Sequence, residues 1–204
     1  MEKTTLSNRQ SIRVGNYFYN YVIKRFFDFI FSLLSLIILS PLFLLITIVL
    51  LFQNKGHPCF AQTRVGANEK NFTLFKFRTL PISMPSYVTS EELIIDKKAI
   101  GGFRYFLRKS GLDELPQLLN IVKGDMSFIG PRPAISVDKD LLKLRKTNGS
   151  YLLRPGLTGL AQINSLRYFR IEEKAKFDGE YNKKISFLMD LKLLLKTISF
   201  VVRR

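Results

Sequence analysis

The feature that most constrains the fold of this chain is an apolar run of 27 residues, Phe26 to Phe52, in which Asp28 is the single charged side chain. A straight helix of that length is about 40 Å long, more than the roughly 30 Å of a bilayer's hydrocarbon core. Lys24 and Arg25 precede the run and Lys55 follows it. The run therefore predicts a helix that enters a membrane.

The middle of this run contains Ser40 and Pro41. Proline at this place predicts a bend, because it removes a backbone donor and clashes with the preceding turn. The two arms, about 22 Å and about 18 Å long, are sufficient to enter one leaflet and return. Basic residues at both ends favour such a hairpin, with both termini on the cytoplasmic side. From the residues alone, however, a transmembrane helix is the default interpretation, because many such helices contain proline.

Asp28 is the one acidic side chain of the apolar run, and its depth in the membrane has to be explained. A carboxylate deep in the hydrocarbon core is costly. We therefore expect Asp28 near the interface, paired with Lys24 or Arg25.

A second stretch, Gly111 to Pro133, brings three carboxylates and a rigid Gly-Pro-Arg-Pro corner together within 23 residues. Apolar residues recur in it at helical spacing: Leu112, Leu115, Leu118, Leu119 and Val122. This spacing predicts a short amphipathic helix opened by Asp113 and Glu114, where acidic side chains suit the helix dipole. The two carboxylates can flank one reacting group, one as nucleophile and the other as base or metal ligand. An ordinary acidic helix start is the competing interpretation.

Two segments, Pro58 to Gly66 and Phe72 to Leu80, are predicted to be short strands joined by an Asn-containing turn. Alternation in the second segment places aromatic side chains on one face and cations on the other. Four polar side chains are candidates to line an anionic site, because guanidinium groups match phosphates: Gln62, Arg64, Lys76 and Arg78. A strand with one solvated face is the alternative.

The remaining segments are predicted mostly as helices. A helix over Phe103–Lys109 is expected to pack its aromatic side chains inward, with Arg108 near Asp113 as a phosphate contact. Residues Ala134–Asn148 are predicted to form a charged amphipathic helix. The loop from Arg154 to Asn164 has the glycines that bring backbone amides close to an anion. The amphipathic stretch Phe177 to Arg204 is compatible with lying in the headgroup plane or packing on the core, and Met84 to Gly102 is predicted to be a mobile surface segment.

Charge and cysteine content narrow the class of protein. Lys and Arg number 32 against 16 Asp and Glu, in a chain that is 47% hydrophobic. This combination indicates anionic membrane surfaces or phosphorylated substrates, and the long apolar run disfavours nucleic acid. One cysteine and one histidine exclude an intramolecular disulfide and a cysteine metal cluster, so a bound metal would take oxygen ligands, as Mg²⁺ or Mn²⁺ does.

Three longer runs carry a resemblance to a known family: LDELPQLLN from Leu112, GDMSFIGPRP from Gly124 and RPGLTGLAQIN from Arg154. With KRFFD from Lys24 and the central Ser-Pro, they resemble the bacterial sugar transferase family, the monotopic phosphoglycosyl transferases. The resemblance extends from about Tyr21 to the C-terminus. It implies an enzyme that joins a sugar phosphate to a polyprenol phosphate.

The resemblance also implies roles for individual residues. Asp113 is implied as the nucleophile on the β-phosphate of a UDP-sugar, giving an aspartyl phosphosugar and UMP before polyprenol phosphate attacks that intermediate. Glu114 is implied as a coordinating or polarising group, with Mg²⁺ close to Asp113. Arg132, fixed between Pro131 and Pro133, is the expected contact for the diphosphate or uridine, and Arg154 is a further substrate-binding candidate.

We therefore expect an α+β protein, mainly helical, with an N-terminal re-entrant helix hairpin, a small strand pair and amphipathic interfacial helices. The expected parts are a lead-in over residues 1–22, a re-entrant membrane helix over 23–54 and a catalytic domain over 55–204. The expected location is the cytoplasmic face of the bacterial inner membrane, with UDP-sugar, polyprenol phosphate and membrane lipids as partners and self-association left open. A non-enzymatic membrane-anchored interaction protein, with the carboxylates as helix caps, is the alternative.

Overall fold

A computed structural model of the protein describes residues 16–54, 56–81, 100–164 and 170–202. The described chain is mainly helical and carries two small two-stranded sheets, which agrees with the predicted α+β class. Most of the segment predicted to be a mobile surface stretch lies outside the described residues.

Helices α1 (Lys24–Ile38) and α2 (Ser40–Gln53) form the apolar run, and the chain bends by 62° between them. Leu39 separates the helices, next to the predicted bend residues Ser40 and Pro41. Proline stands in the first turn of α2, where a missing backbone N–H leaves no hydrogen bond unmade. Among the described residues no single helix is long and apolar enough to cross a membrane, and only this bent pair passes that test jointly.

The predicted partner of Asp28 was wrong. Its Oδ1 accepts a hydrogen bond from the Phe128 backbone N–H at 3.2 Å, whereas Lys24 Nζ is 2.5 Å from Asp190 Oδ2. Arg25 donates to two backbone carbonyls of another helix. The charged residues in the first turns of α1 therefore join this helix to the rest of the protein, because buried charges need partners.

The last residues of the predicted lead-in, residues 1–22, are part of the folded protein. A π-helical turn, Tyr19–Ile23, precedes α1, and both Tyr19 and Asn20 are buried. These residues belong to the folded unit, because the ring of Tyr19 packs in a core with residues of the C-terminal half.

Strands β1 (Cys59–Val65) and β2 (Asn71–Phe77) pair antiparallel, as predicted. Gln62 lies opposite Leu74, and Phe60 lies opposite Lys76. Directly opposed residues share a face of the sheet, so Gln62 and Lys76 lie on the same side of the hairpin. That side is the more buried one, since Leu74 is buried while the Cys59 side of β1 is exposed.

Helix α3 (Gly102–Ser110) covers the predicted helix after the segment that is not described. Its side chains are not all arranged as expected, because Leu107 is buried and Phe106 is 54% exposed. A 3₁₀ turn, Leu112–Glu114, follows, and α4 (Gln117–Lys123) begins only after Pro116. The prediction that the two acids open the helix is therefore corrected: proline at the N-cap of α4 leaves them in a separate tight turn.

A second sheet was not predicted. Strands β3 (Ser127–Ile129) and β4 (Gly156–Thr158) pair in parallel. The Gly130 N–H donates to the Thr158 carbonyl at 2.9 Å, and the Gly156 N–H donates to the Pro131 carbonyl at 2.8 Å. A Cβ at Gly130 or Gly156 would collide with the facing backbone, so these glycines permit the close approach of two loops, and their amides are used within the protein.

The C-terminal half consists of helices around a second part of the core. They are α5 (Lys139–Asn148), α6 (Leu160–Asn164), α7 (Ile171–Lys184) and α8 (Phe187–Val202). The helix predicted over Ala134–Asn148 starts only at Lys139, five residues later. The predicted amphipathic stretch from Phe177 is two helices, because Ile185 leaves the helical conformation and its side chain enters the core.

Candidate active site

The acid pair lies in a turn held from both sides. Helix α3 ends at Gly111 with φ 74°, a left-handed conformation that glycine adopts without strain. The 3₁₀ turn then presents Asp113 and Glu114 before Pro116 starts α4. The Asp113 residue is only 7% exposed.

Burial, and after it the neighbouring negative charge of Glu114, raise the pKa of Asp113 from 3.8 to about 6. The positive charges of Lys76 and Arg108 oppose this shift. Within the described part of the chain, the Asp113 carboxyl group accepts no hydrogen bond from another side chain. A buried carboxyl group with a perturbed pKa and few partners is typical of functional sites.

The pKa of the second acid, Glu114, is shifted in the opposite direction. Lys76 Nζ lies 2.6 Å from Glu114 Oε1. Burial alone would raise the pKa of Glu114, but the charges of Lys76 and Arg132 outweigh it and hold the pKa below its usual range. Adjacent carboxyl groups whose environments push their pKa values apart are suited to different roles in one reaction.

Two arginines complete the positive charge around the pair. Burial lowers the pKa of the Arg108 guanidinium, while Asp113 and Glu114 raise it and Arg132 lowers it. The predicted residues Lys76, Arg108 and Arg132 therefore come from three separate segments to surround one acid pair.

Two more predicted residues, Gln62 and Arg64, lie on strand β1 beside the Gly-Pro-Arg-Pro corner. Arg64 donates to Gln62 Oε1 at 2.6 Å and to the Pro133 carbonyl at 3.2 Å. The next residue, Val65, bridges to the segment after the corner. These bonds tie the end of β1 to the loop that carries Arg132. Pro131 is buried at the same corner.

Arg78 and Arg154 make their described contacts elsewhere. Arg78 donates to the Cys59 carbonyl at 3.3 Å and lies 5.4 Å from the centre of a phenylalanine ring. Arg154 donates to the Gly124 carbonyl at 3.1 Å, at the end of α4 farther from the acid pair, and its guanidinium lies 5.7 Å from the Tyr21 ring centre. Their binding of substrate stays a prediction.

One buried residue near the site was not predicted. Asn120 of α4 is 0% exposed and hydrogen-bonds to the backbone of β2. The signal in the sequence is an amide inside a run of leucine and isoleucine, where a polar side chain needs a partner to be buried. The identity of that partner follows only from the tertiary structure.

The acid pair fits a divalent cation. The described residues contain no group of three or more His, Cys, Asp or Glu side chains that could hold a metal on their own. Mg²⁺ is commonly bound by one or two carboxylates together with substrate phosphates and water. Asp113, whose oxygens accept no bond from another described side chain, is suited to that partial coordination, with Glu114 beside it.

Comparison with known proteins shows the family of this chain. The family described as bacterial sugar transferase matches residues 19–204. The exopolysaccharide production protein ExoY of Sinorhizobium fredii is 37% identical over 197 residues, covering 87% of this chain and 84% of that protein.

Two longer relatives carry more specific names. The UDP-glucose:undecaprenyl-phosphate glucose-1-phosphate transferase of Escherichia coli is 32% identical, covering 88% of this chain and 40% of that protein. The undecaprenyl-phosphate galactose phosphotransferase of Salmonella typhimurium is 34% identical, covering 89% of this chain and 41% of that protein. The family match includes helices α1 and α2, the acid pair and every arginine described above. The chain therefore belongs to the bacterial sugar transferase family.

Proposed function

We propose that this protein transfers a sugar 1-phosphate from a UDP-sugar to a polyprenol phosphate, with undecaprenyl phosphate as the acceptor. The names of its relatives support both substrates. The observation that carries the proposal is the buried Asp113, with its raised pKa, beside Glu114 and three cations. This set provides a nucleophile together with the positive charge that a diphosphate requires.

In the first step an Asp113 carboxylate oxygen attacks the β-phosphorus, which carries the sugar. A bond forms between that oxygen and phosphorus, the bond from phosphorus to the bridging oxygen breaks, and UMP leaves with the electron pair. Burial supports this role, because a poorly solvated carboxylate is a stronger nucleophile than one in water. The product is an aspartyl phosphosugar.

In the second step a phosphate oxygen of the polyprenol phosphate attacks the same phosphorus. The acyl phosphate bond breaks, which regenerates the Asp113 carboxylate and releases polyprenol diphosphosugar. Glu114, held by Lys76, polarises or deprotonates the incoming phosphate. Arg108 and Arg132 neutralise the charge that develops on the phosphoryl oxygens.

Asp113, with Glu114 beside it, would hold Mg²⁺ against the donor diphosphate. The ion would supply neutralisation of phosphate charge there.

The lipid acceptor requires the site to lie at the membrane surface, and we propose that the bent pair α1–α2 enters one leaflet from the cytoplasmic side and returns. Large apolar side chains are exposed along both arms, among them Phe31, Ile38, Leu44 and Phe52. Helix α8 continues this apolar surface, since the rings of Phe27 and Phe187 lie 6.2 Å apart. A membrane covers such a surface, because exposed patches of this kind are unfavourable in water.

The test is transfer by the purified protein in detergent or lipid discs, with undecaprenol phosphate, Mg²⁺ and a panel of UDP-sugars. We expect UMP release with at least one donor. Asp113→Asn should lower the rate by at least about 10³-fold, because it removes the nucleophile. Asp140→Asn, the same change at an exposed carboxylate of α5, is the matched control and should leave the rate unchanged.

Mass spectrometry of the enzyme with donor alone tests the intermediate. We expect a phosphosugar adduct on the peptide that contains Asp113. Neither adduct nor UMP across the whole panel would overturn the proposed reaction, and full activity of Asp113→Asn would overturn the covalent step alone.

A further inference from the structure

The side chain of Asn120, a residue of α4, reaches strand β2 and forms hydrogen bonds with backbone groups at the edge of that strand. Its Oδ1 accepts the Phe75 N–H at 3.1 Å, and its Nδ2 donates to the Thr73 carbonyl at 2.7 Å. These backbone groups point away from β1, toward the helix. The side-chain amide therefore occupies the place that a further strand would take, since buried backbone groups must be paired.

The main chain of the same residue fixes the end of α4. The Asn120 carbonyl accepts hydrogen bonds from the N–H groups of Gly124, Asp125 and Met126 at 3.1, 3.0 and 3.3 Å. Its Nδ2 also lies 3.4 Å from Asp125 Oδ2. One residue thus defines both the turn after the helix and the alignment of the helix with β2.

The amide bridge is adjacent to the ion pair of the acid turn. Lys76 directly follows Phe75 along β2, and its Nζ binds Glu114 at 2.6 Å. Glu114 precedes Asn120 by six residues. Strand β2 is therefore joined to the segment from Glu114 to Asn120 at both ends, by an ion pair at one end and by an amide at the other.

Apolar packing supports the same contact without fixing its alignment. Leu74 of β2 forms a buried cluster with Leu118, Ile121 and Met126. Such packing is non-directional, so it holds α4 on the strand but does not determine which residue of β2 faces the acid turn. The two hydrogen bonds of the amide do determine this, because they require a fixed geometry.

We propose that Asn120 is a positioning residue of the transferase, which aligns β2 with α4 so that Lys76 meets Glu114 beside Asp113. The proposal rests on the proposed function, since it assigns Asn120 a part in the same reaction. It acts through Lys76 and Glu114 and touches no substrate. Loss of the amide lets the strand shift relative to the helix, and the ion pair then no longer fixes the acid turn.

The test uses the burst of UMP that the enzyme releases from a UDP-sugar without acceptor. The burst amplitude counts competent sites, and the burst rate reports the first chemical step. We expect Asn120→Ala to keep the amplitude and the donor KM and to lower the burst rate by about 10²-fold, the loss that a displacement of about 1 Å produces.

A cycle with Lys76→Met separates positioning from general destabilisation. If Asn120 acts through Lys76, adding Asn120→Ala to Lys76→Met should change the burst rate by no more than about twofold, because coupled residues are not additive. Asn120→Gln keeps both the amide donor for the Thr73 carbonyl and the amide acceptor for the Phe75 N–H on a side chain one methylene longer, and should lose less rate than Asn120→Ala. It serves as the second variant if Asn120→Ala does not fold.

Asn148→Ala is the matched control. The Asn148 amide donates to the Ala175 carbonyl at 2.6 Å and joins α5 to α7, so the same substitution should leave the burst rate unchanged. Losses of Asn120→Ala and Lys76→Met that multiply in full, or a normal burst rate for both Asn120 variants, would overturn the inference. Absence of a burst in the unmodified enzyme would instead contradict the proposed function.

Discussion

Two buried aspartates of this protein, Asp190 and Asp113, are surrounded in opposite ways. Asp190 accepts hydrogen bonds from Tyr19 at 2.8 Å, Lys24 at 2.5 Å and Tyr181 at 2.6 Å. Asp113 is equally buried, but among the described side chains none donates a hydrogen bond to it. One carboxylate has three side-chain donors, and the other has none among the described side chains.

The two aspartates have different roles: Asp190 holds segments of the fold together, and Asp113 is the nucleophile of the proposed reaction. The partners of Asp190 come from the π-helical turn, α1 and α7. This residue therefore joins the start of α1 to the C-terminal helices. The raised pKa of Asp113 shows that its charge is costly where it lies. Saturated buried networks stabilise a unique fold, whereas incompletely satisfied groups are typical of reactive sites.

The largest effect on stability is expected from Asp190→Asn. This change leaves Lys24 buried without its counter-charge, which costs about 3–5 kcal/mol of the free energy of unfolding. Thermal unfolding of the detergent-solubilised protein measures it, and transfer activity well below the unfolding midpoint should persist. A melting temperature equal to that of the unmodified protein would remove the distinction between the two aspartates.

Asp113→Asn should have the opposite sign and depend on pH. The folded pKa of Asp113, about 6, exceeds its ordinary 3.8, so the folded state favours the protonated form. This contribution is fully present below about pH 4 and is lost as the pH rises through about 6. Without metal, Asp113→Asn should therefore stabilise the protein by up to about 3 kcal/mol at pH 8.

Melting temperatures of the two proteins in EDTA at pH 4 and pH 8 test this. The two should melt together at pH 4 and separate at pH 8. A difference of equal size at both values would show that the substitution acts through packing and not through the charge.

A smaller loss of stability is expected when Asp190 loses one of its three hydrogen-bond donors. Tyr181→Phe removes one of its three donors and keeps the ring, which is packed in the core. We expect a loss of about 2 kcal/mol, the usual contribution of a hydrogen bond to a charged group. Chemical denaturation measures it, and a loss as large as that of Asp190→Asn would indicate that the Tyr181 hydroxyl, and not the ion pair with Lys24, supplies most of the stabilisation by Asp190.

The smallest effect is expected at an exposed ion pair. Lys146 Nζ lies 2.9 Å from Glu69 Oε2, and both side chains are well exposed. Lys146→Ala should not change the melting temperature measurably, because exposed pairs are screened and lose side-chain entropy. A clear drop would show that the distinction between buried and exposed charges is less sharp than the structure indicates.

Much of the local structure could be predicted from the sequence. Alternation and turn residues predicted the β1–β2 pair, and a proline predicted the bend beside Leu39. The short parallel sheet could not be predicted, because three-residue strands far apart in sequence have too little pattern. The identity of the partner of Asp28 also depended on distant segments, since sequence proximity favoured Lys24 and the fold supplied the Phe128 amide.

Residue types and their spacing were enough to predict a bend in the apolar run, an acid pair and several arginines in motifs of a recognisable family. These are properties of residue type and spacing, which short-range physics can interpret. Which cations reach the acids depends on the fold, which brings Lys76, Arg108 and Arg132 to Asp113 and Glu114. The reason is that the energy of a buried charge depends on its three-dimensional neighbours and its distance from water, and neither is encoded in local sequence.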